Sequence, residues 1–195
     1  MQAIEQPDSE LVTRARRGEQ DAFRALYAQH AAAVFRLLRS LGVRSADLDD
    51  AAQEVFLTAF QKLGAFDDGR SFRSWVLGIA VNISRRHLSR TYWRSVLMDL
   101  VKHEPMTSAP ISPDASAEQR ERAARVGAVL DRMGEKKRTV LVLRDVMEFD
   151  EGETAASLGI PRGTVATRLY HARREFARIA KRFHLDPRAS GDADG

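Results

Sequence analysis

The chain has 195 residues, a net charge of +4, 44% hydrophobic and 30% charged side chains, a mixture that buries a core beneath an ionised surface and excludes disordered and fibrous classes. It contains no cysteine, which excludes disulfide frameworks, thiolate metal sites and cysteine nucleophiles together and fits a reducing compartment. No apolar run approaches the ~20 residues that span a bilayer, and the N-terminus MQAIEQPDSE carries neither a basic nor an apolar leader segment, so a cytoplasmic protein without membrane insertion is expected.

Apolar residues recur at three- and four-residue intervals through the first half, the period of helices with one buried face. Leu11, Val12 and Ala15 predict a short helix ended by Gly18. Phe23, Leu26, Tyr27, His30, Val34, Leu37, Leu38 and Leu41 form the stripe of a long second helix, closed by Gly42. Asp47 stands where it can cap a third helix, which buries Leu48, Ala51, Ala52, Val55, Phe56, Ala59 and Phe60. After the turn-rich GAFDDGRS at 64–71, Phe72, Trp75, Val76, Ile79, Ala80 and Ile83 predict the inward face of a fourth.

Residues 1–94 thus read as one helical domain. Residues 95–119, with Pro105, Pro110, Pro113 and no sustained apolar period, read as a flexible linker. A second helical domain is expected over 120–183, and the small, polar residues 184–195 as a disordered tail. The fold class is all-α: two small helical domains joined by a flexible linker.

The most specific local pattern is EGETAASLGIPRGTVATRLYHARREF at 151–176, two helix patterns separated by a very short turn. Ala155 is small enough for close approach, Gly159 suits the tight turn, and Val165 can plug the angle between the helices, the arrangement of a helix-turn-helix. Pro161 suits the opening of the second helix. With Val165, Leu169, Ala172, Phe176 and Ile179 inward, Arg162, Thr164, Thr167, Arg168, His171, Arg174 and Arg178 face out, a surface able to enter a major groove. The alternative is a basic, solvated bundle helix.

Charge is unevenly placed. Residues 162–182 hold seven Arg and Lys against Glu175 alone, and RRHLSRTYWR at 85–94 holds four arginines and no acid. Residues 45–56 are acidic, with Asp47, Asp49, Asp50 and Glu54. The third helix presents Asp50, Gln53, Glu54, Leu57 and Gln61 outward, as a protein-docking face with an apolar anchor would, or as an ordinary charged face with one exposed leucine. On the fourth helix Asn82, Arg85, Arg86 and Ser89 share a face, with Tyr92 and Trp93 beyond. This is single-strand-binding chemistry, or else solvated arginines beside a core tryptophan.

Three motifs, in order, resemble those of bacterial RNA polymerase sigma factors of the extracytoplasmic-function type: DDAAQEVFLTAF at 49–60, FRSWVLGIAVNISRRHLSR at 72–90 and LGIPRGTVATRLYHARREF at 158–176. The resemblance covers roughly 9–94 and 120–183. It implies that Asp49, Asp50, Gln53, Glu54 and Leu57 dock on the clamp coiled coil of the polymerase's largest subunit. It implies that Phe66, Arg70, Ser71, Arg73, Trp75, Asn82, Arg85, Arg86, Ser89 and Arg90 serve a single-stranded minus-ten element, with the loop 65–71 cradling a flipped base. Pro161, Arg162, Gly163, Thr164, Thr167, Arg168, His171 and Arg174 would read a double-stranded minus-thirty-five element. Core polymerase, including its flap, promoter DNA and an anti-sigma factor are the implied partners; no cofactor, metal or catalysis is implied.

Gly152 and Thr154 depart from the family pattern, which has larger or aliphatic residues there, and Thr154 is expected to loosen the first helix of the motif by burying a hydroxyl. Two other classes compete. An operator-binding regulator acting without polymerase has no use for the acidic helix with Leu57. A carboxylate nuclease built on Asp49, Asp50, Glu54 and His30 needs convergent ligands, yet Asp49 and Asp50 point about 100° apart on a helix.

Overall fold

A computed structural model describes residues 7–98 and 117–182, with side-chain surroundings for 7–88 and 121–182; most of the expected linker and the tail lie outside the described residues. Eight α-helices run in order among these residues, with no strand: α1 (Asp8–Arg16), α2 (Gln20–Ser40), α3 (Leu48–Gln61), α4 (Phe72–Met98), α5 (Ala117–Asp131), α6 (Glu135–Leu141), α7 (Glu151–Leu158) and α8 (Arg162–Arg182). The backbone of α4 runs past residue 94, and α5 begins before residue 120.

The first domain is built by α2, α3 and α4, with α1 laid along α2. Leu26, Val34, Leu37, Leu38, Ala51, Val55 and Ala59 are fully buried, each large aliphatic stabilising by about 1.5–3 kcal/mol. Three expectations need correction. Tyr27, placed on the buried stripe, is 43% exposed, because it lies at the edge of the α2/α3 contact with its ring on Phe56. Asp47 does not cap α3; its carboxylate is drawn instead to Arg44, 2.7 Å from Nη2. Helix α4 buries a second set of residues, Ser74, Leu77, Gly78 and Val81, besides the expected Phe72, Val76, Ala80 and Ile83. The reason is that α4 packs against α7 as well as against α2 and α3.

In the second domain α6 runs into a π-helical turn at Val142–Val146, and the following turn holds Glu148 at φ +60°. Asp150 then caps α7: its side chain accepts the Glu153 N–H at 2.8 Å while Glu153 accepts the Asp150 N–H at 2.9 Å. Gly159 takes φ +63°, the left-handed turn that ends α7 and that a β-carbon would oppose. Thr154 is wholly buried, but its hydroxyl donates to the Asp150 carbonyl at 2.8 Å, so the expected loosening does not follow. Buried residues of both domains form one contiguous cluster.

Candidate nucleic-acid interface

The amphipathic period of α3 turns Asp49, Asp50, Gln53 and Leu57 to the surface, with Leu57 53% exposed. Tyr27 of α2 stands beside this face, its ring 4.6 Å from that of Phe56, and Phe23 meets Phe60 at 4.7 Å. The result is an apolar ridge among carboxylates and amides, suited to a protein partner. Glu54 is different. It is half-buried, and its two carboxylate oxygens take Arg86 Nη2 and His87 Nε2, each at 3.1 Å. The acidic helix and the basic helix therefore meet at one residue, a pairing that sequence spacing does not reveal.

The loop before α4 is held from a distance. Arg16, at the end of α1, donates from Nε to the Leu63 carbonyl at 3.1 Å, from Nη1 to Asp68 at 2.7 Å and from Nη2 to the Phe66 carbonyl. Asp67 accepts the Gly69 N–H at 3.0 Å, which tightens the turn. Arg70 and Ser71 are exposed, and the Ser71 hydroxyl also accepts the Ser74 N–H at 3.2 Å, capping α4. Phe66, expected at the DNA, is 7% exposed: its ring lies 4.9 Å from Trp75 and 5.7 Å from Phe72, so it forms the floor of the loop rather than its surface. His30 completes that floor, 5.2 Å from Phe72 with Nε2 2.8 Å from Asp8, and so is not free to join Asp49, Asp50 and Glu54 around a metal. Among the described residues no three His, Asp or Glu side chains converge as metal ligands.

Along α4, Asn82 and Arg86 are exposed, whereas Arg85 pairs through Nε with Glu135 at 3.0 Å and Arg73 donates to the Met147 carbonyl at 3.0 Å. The side chains of Ser89 and Arg90 lie outside the described residues. The structure thus brings the loop, Trp75, Asn82 and Arg86 onto one side of the domain's core but commits two of the expected arginines to the second domain.

On α8, Val165 and Ala172 are fully buried, which leaves Arg162, Gly163, Thr167, His171 and Arg174 exposed and Thr164 and Arg168 half-exposed. Pro161 precedes the helix and its carbonyl accepts the Thr164 N–H at 3.0 Å. Arg173, counted in the basic cluster, is neutralised by two bonds to Asp145 at 3.0 and 2.7 Å, which raise its pKa chiefly through hydrogen bonding. Tyr170, missed by the outward pattern, is 57% exposed, accepts from Arg174 at 3.1 Å and borders a shallow groove of about 490 Å³ lined by Val165, Ala166 and Leu169. A face of guanidinium, hydroxyl and imidazole groups, with the Thr167 hydroxyl donating to the Gly163 carbonyl at 2.9 Å, has the chemistry to contact phosphates and base edges in a major groove.

Comparison with known proteins supplies the frame for these faces. Residues 26–94 match the family Sigma-70 region 2, and residues 123–176 match Sigma-70, region 4. The chain is 32% identical over 171 residues to the RNA polymerase sigma factor NccH of Alcaligenes xylosoxydans xylosoxydans, covering 85% of this chain and 90% of that one. It is 30% identical over 173 residues to the ECF RNA polymerase sigma-E factor of Escherichia coli, covering 85% and 90%. Among solved structures, that of CnrH in complex with the cytosolic domain of CnrY matches with TM-score 0.69 at 28% identity, over 90% of this chain and 97% of that one. The sigma factor RpoE in complex with the anti-sigma factor NepR from Bartonella quintana shares the fold, with TM-score 0.67 at 19% identity over 82% and 96%.

Proposed function

The chain belongs to the sigma-70 family of RNA polymerase sigma factors, in its extracytoplasmic-function class, and from that premise we propose how its three helix faces divide the work. It is an alternative sigma factor: it binds core RNA polymerase and directs promoter-specific initiation through the minus-ten and minus-thirty-five elements. In our reading residues 1–94 and 120–183 are the two working domains and 95–119 is the linker between them. Asp49, Asp50, Gln53 and Leu57 dock the polymerase clamp, with Tyr27 extending the apolar anchor. Arg70, Ser71, Trp75, Asn82 and Arg86, continued by Ser89 and Arg90, hold the melted minus-ten strand, on the floor made by Phe66. Arg162, Thr164, Thr167, Arg168, His171 and Arg174 read the upstream duplex.

The observation that carries this division is Leu57, an exposed leucine flanked by carboxylates on a helix that already satisfies its own core. A protein that acted on DNA alone would have no use for it. The protein works without a catalytic step of its own and in the cytoplasm, and no helix among the described residues is long and apolar enough to cross a membrane. An anti-sigma factor, of the kind bound to the sigma factor RpoE of Bartonella quintana, is the expected regulator.

The deciding experiment is run-off transcription with core polymerase beside footprinting of the free protein. Promoter-specific transcripts with core enzyme, and weak protection by the protein alone, are expected. A footprint by the protein alone with no promoter-specific transcript would instead make it an operator-binding regulator.

A further inference from the structure

Glu54 lies one helical turn from both Asp50 and Leu57, on the flank of α3, the helix that packs against α4. Its two carboxylate oxygens are divided between consecutive residues of α4: Oε1 takes Arg86 Nη2 and Oε2 takes His87 Nε2, each at 3.1 Å. The side chain of His87 is 13% exposed, that of Glu54 32% and that of Arg86 53%, so the cluster runs from the seam between α3 and α4 out to the surface. A carboxylate only accepts, so His87 takes the tautomer that donates from Nε2, and it anchors one oxygen while the other holds the guanidinium.

The bond leaves Arg86 most of its donors. A guanidinium carries five N–H groups in a rigid fork, and a single nitrogen directed at Glu54 orients that fork while donors remain for a ligand. Arg86 is exposed, and exposed Asn82 stands one turn earlier on the same face of α4. Arginine is among the side chains that lose most rotamer freedom when a ligand orders them. A carboxylate that holds the side chain beforehand takes part of that loss out of the binding step.

We propose that Glu54 is a positioning residue for the minus-ten strand: anchored by His87, it sets Arg86 in the pose that meets the melted strand, and it does so from the helix that docks the polymerase. The docking face and the strand-reading face are thereby joined through one carboxylate. This is a different task from clamp docking, to which the motif alone assigns Glu54. His87, which no motif singled out, shares the task, and both residues act on the strand through Arg86. The inference rests on the initiation-factor reading and deepens it.

The test is a double-mutant cycle on holoenzyme, assembled from the full chain with core polymerase in saturating excess so that a docking defect does not reach the readout. The probe is a fluorescent single-stranded oligonucleotide with the non-template minus-ten sequence of a promoter that the unmodified holoenzyme transcribes. Glu54→Gln keeps the shape but offers one acceptor oxygen and an NH2 group to two donors, so one of the two bonds is lost. It is expected to weaken strand binding about fivefold while Arg86 is present. Arg86→Ala should weaken it about tenfold, and adding Glu54→Gln to Arg86→Ala should cause no further loss. His87→Ala should behave like Glu54→Gln, and His87→Gln, which restores an N–H donor, should recover part of the loss. Strand affinity unchanged by Glu54→Gln, or losses that multiply in the double variant, overturns the proposal alone. Should Glu54→Gln fail to fold, the His87 variants decide: a His87→Ala loss that persists in the Arg86→Ala background, or no recovery with His87→Gln, overturns it equally. Absence of both transcript and strand binding from the unmodified holoenzyme overturns the initiation-factor reading and the proposal with it.

Discussion

Gly152 leaves the space that Arg162 fills: a β-carbon at residue 152 would stand 2.5 Å from the Arg162 Nη2. The departure from the family pattern at 152 therefore has a physical partner, Arg162, which the proposed function gives to the upstream duplex and which folds back over the start of α7. Because the clashing atom ends a flexible side chain, Gly152→Ala is expected to swing Arg162 away at little cost and to gain helix propensity. Urea unfolding should show a net stabilisation of about 0.5–1 kcal/mol. A loss of similar size would mean that Arg162 is fixed in place.

Arg16 is the residue that ties down the loop before α4, the loop we propose to serve the minus-ten strand. Arg16→Ala removes donors to two loop carbonyls and to Asp68; the Leu63 carbonyl keeps the Phe66 N–H, so the expected cost of about 1–3 kcal/mol falls chiefly on the Phe66 carbonyl. Hydrogen exchange in 63–70 should accelerate, and open-complex formation should fall while core binding holds. Arg16→Lys keeps the charge but not the fork of donors and should rescue only part of the loss.

How much of this was legible in the sequence depends on how many neighbours an element has. Helices α3 and α8 bury one face each, so their periodicity gave both the core side and the outward side, and the exposure of Leu57 was legible directly. Helix α4 is buried on two sides, so the single inward face expected of it left out Ser74, Leu77, Gly78 and Val81, and the α7 contact was invisible. Arg16 acts on groups 47 to 52 residues away, beyond the reach of any local pattern. The burial of Phe66 was not legible, because an aromatic in a polar loop reads the same whether it faces a base or the core. The pattern departure at Thr154 was visible but its remedy, a carbonyl one turn back, was not.

Glu148 sits at φ +60° without being glycine, asparagine or aspartate, a conformation that costs an L-residue about 1–2 kcal/mol. Glu148→Gly is expected to recover about 1 kcal/mol of that, read as a higher denaturation midpoint with an unchanged m-value. No gain would show that the turn carries no strain.

Glu175 is held below its ordinary pKa, first by its hydrogen bond to Lys137 and then by that ammonium's charge. A folded-state pKa below the unfolded one favours the folded state when the group is ionised. The contribution is fully present above the ordinary glutamate range and lost as pH falls through the folded value. Lys137→Met should therefore lower the melting temperature at neutral pH, with the gap from the unmodified chain closing in acid. A gap independent of pH would assign the effect to packing of the lysine stem.

The central claim is that polymerase docking and upstream reading reside on separate helices, and one comparison tests it most directly: core-polymerase affinity and run-off transcription for Leu57→Asp and Arg168→Ala side by side. Leu57 is exposed, so its substitution should leave folding intact and weaken core binding by at least about tenfold, ~1.4 kcal/mol. Arg168→Ala should keep core affinity within about twofold and lose transcription only from promoters that depend on the minus-thirty-five element, at a cost of about 1–3 kcal/mol. The same defect in both variants, whether in core affinity or in promoter choice, would contradict the division of labour between α3 and α8.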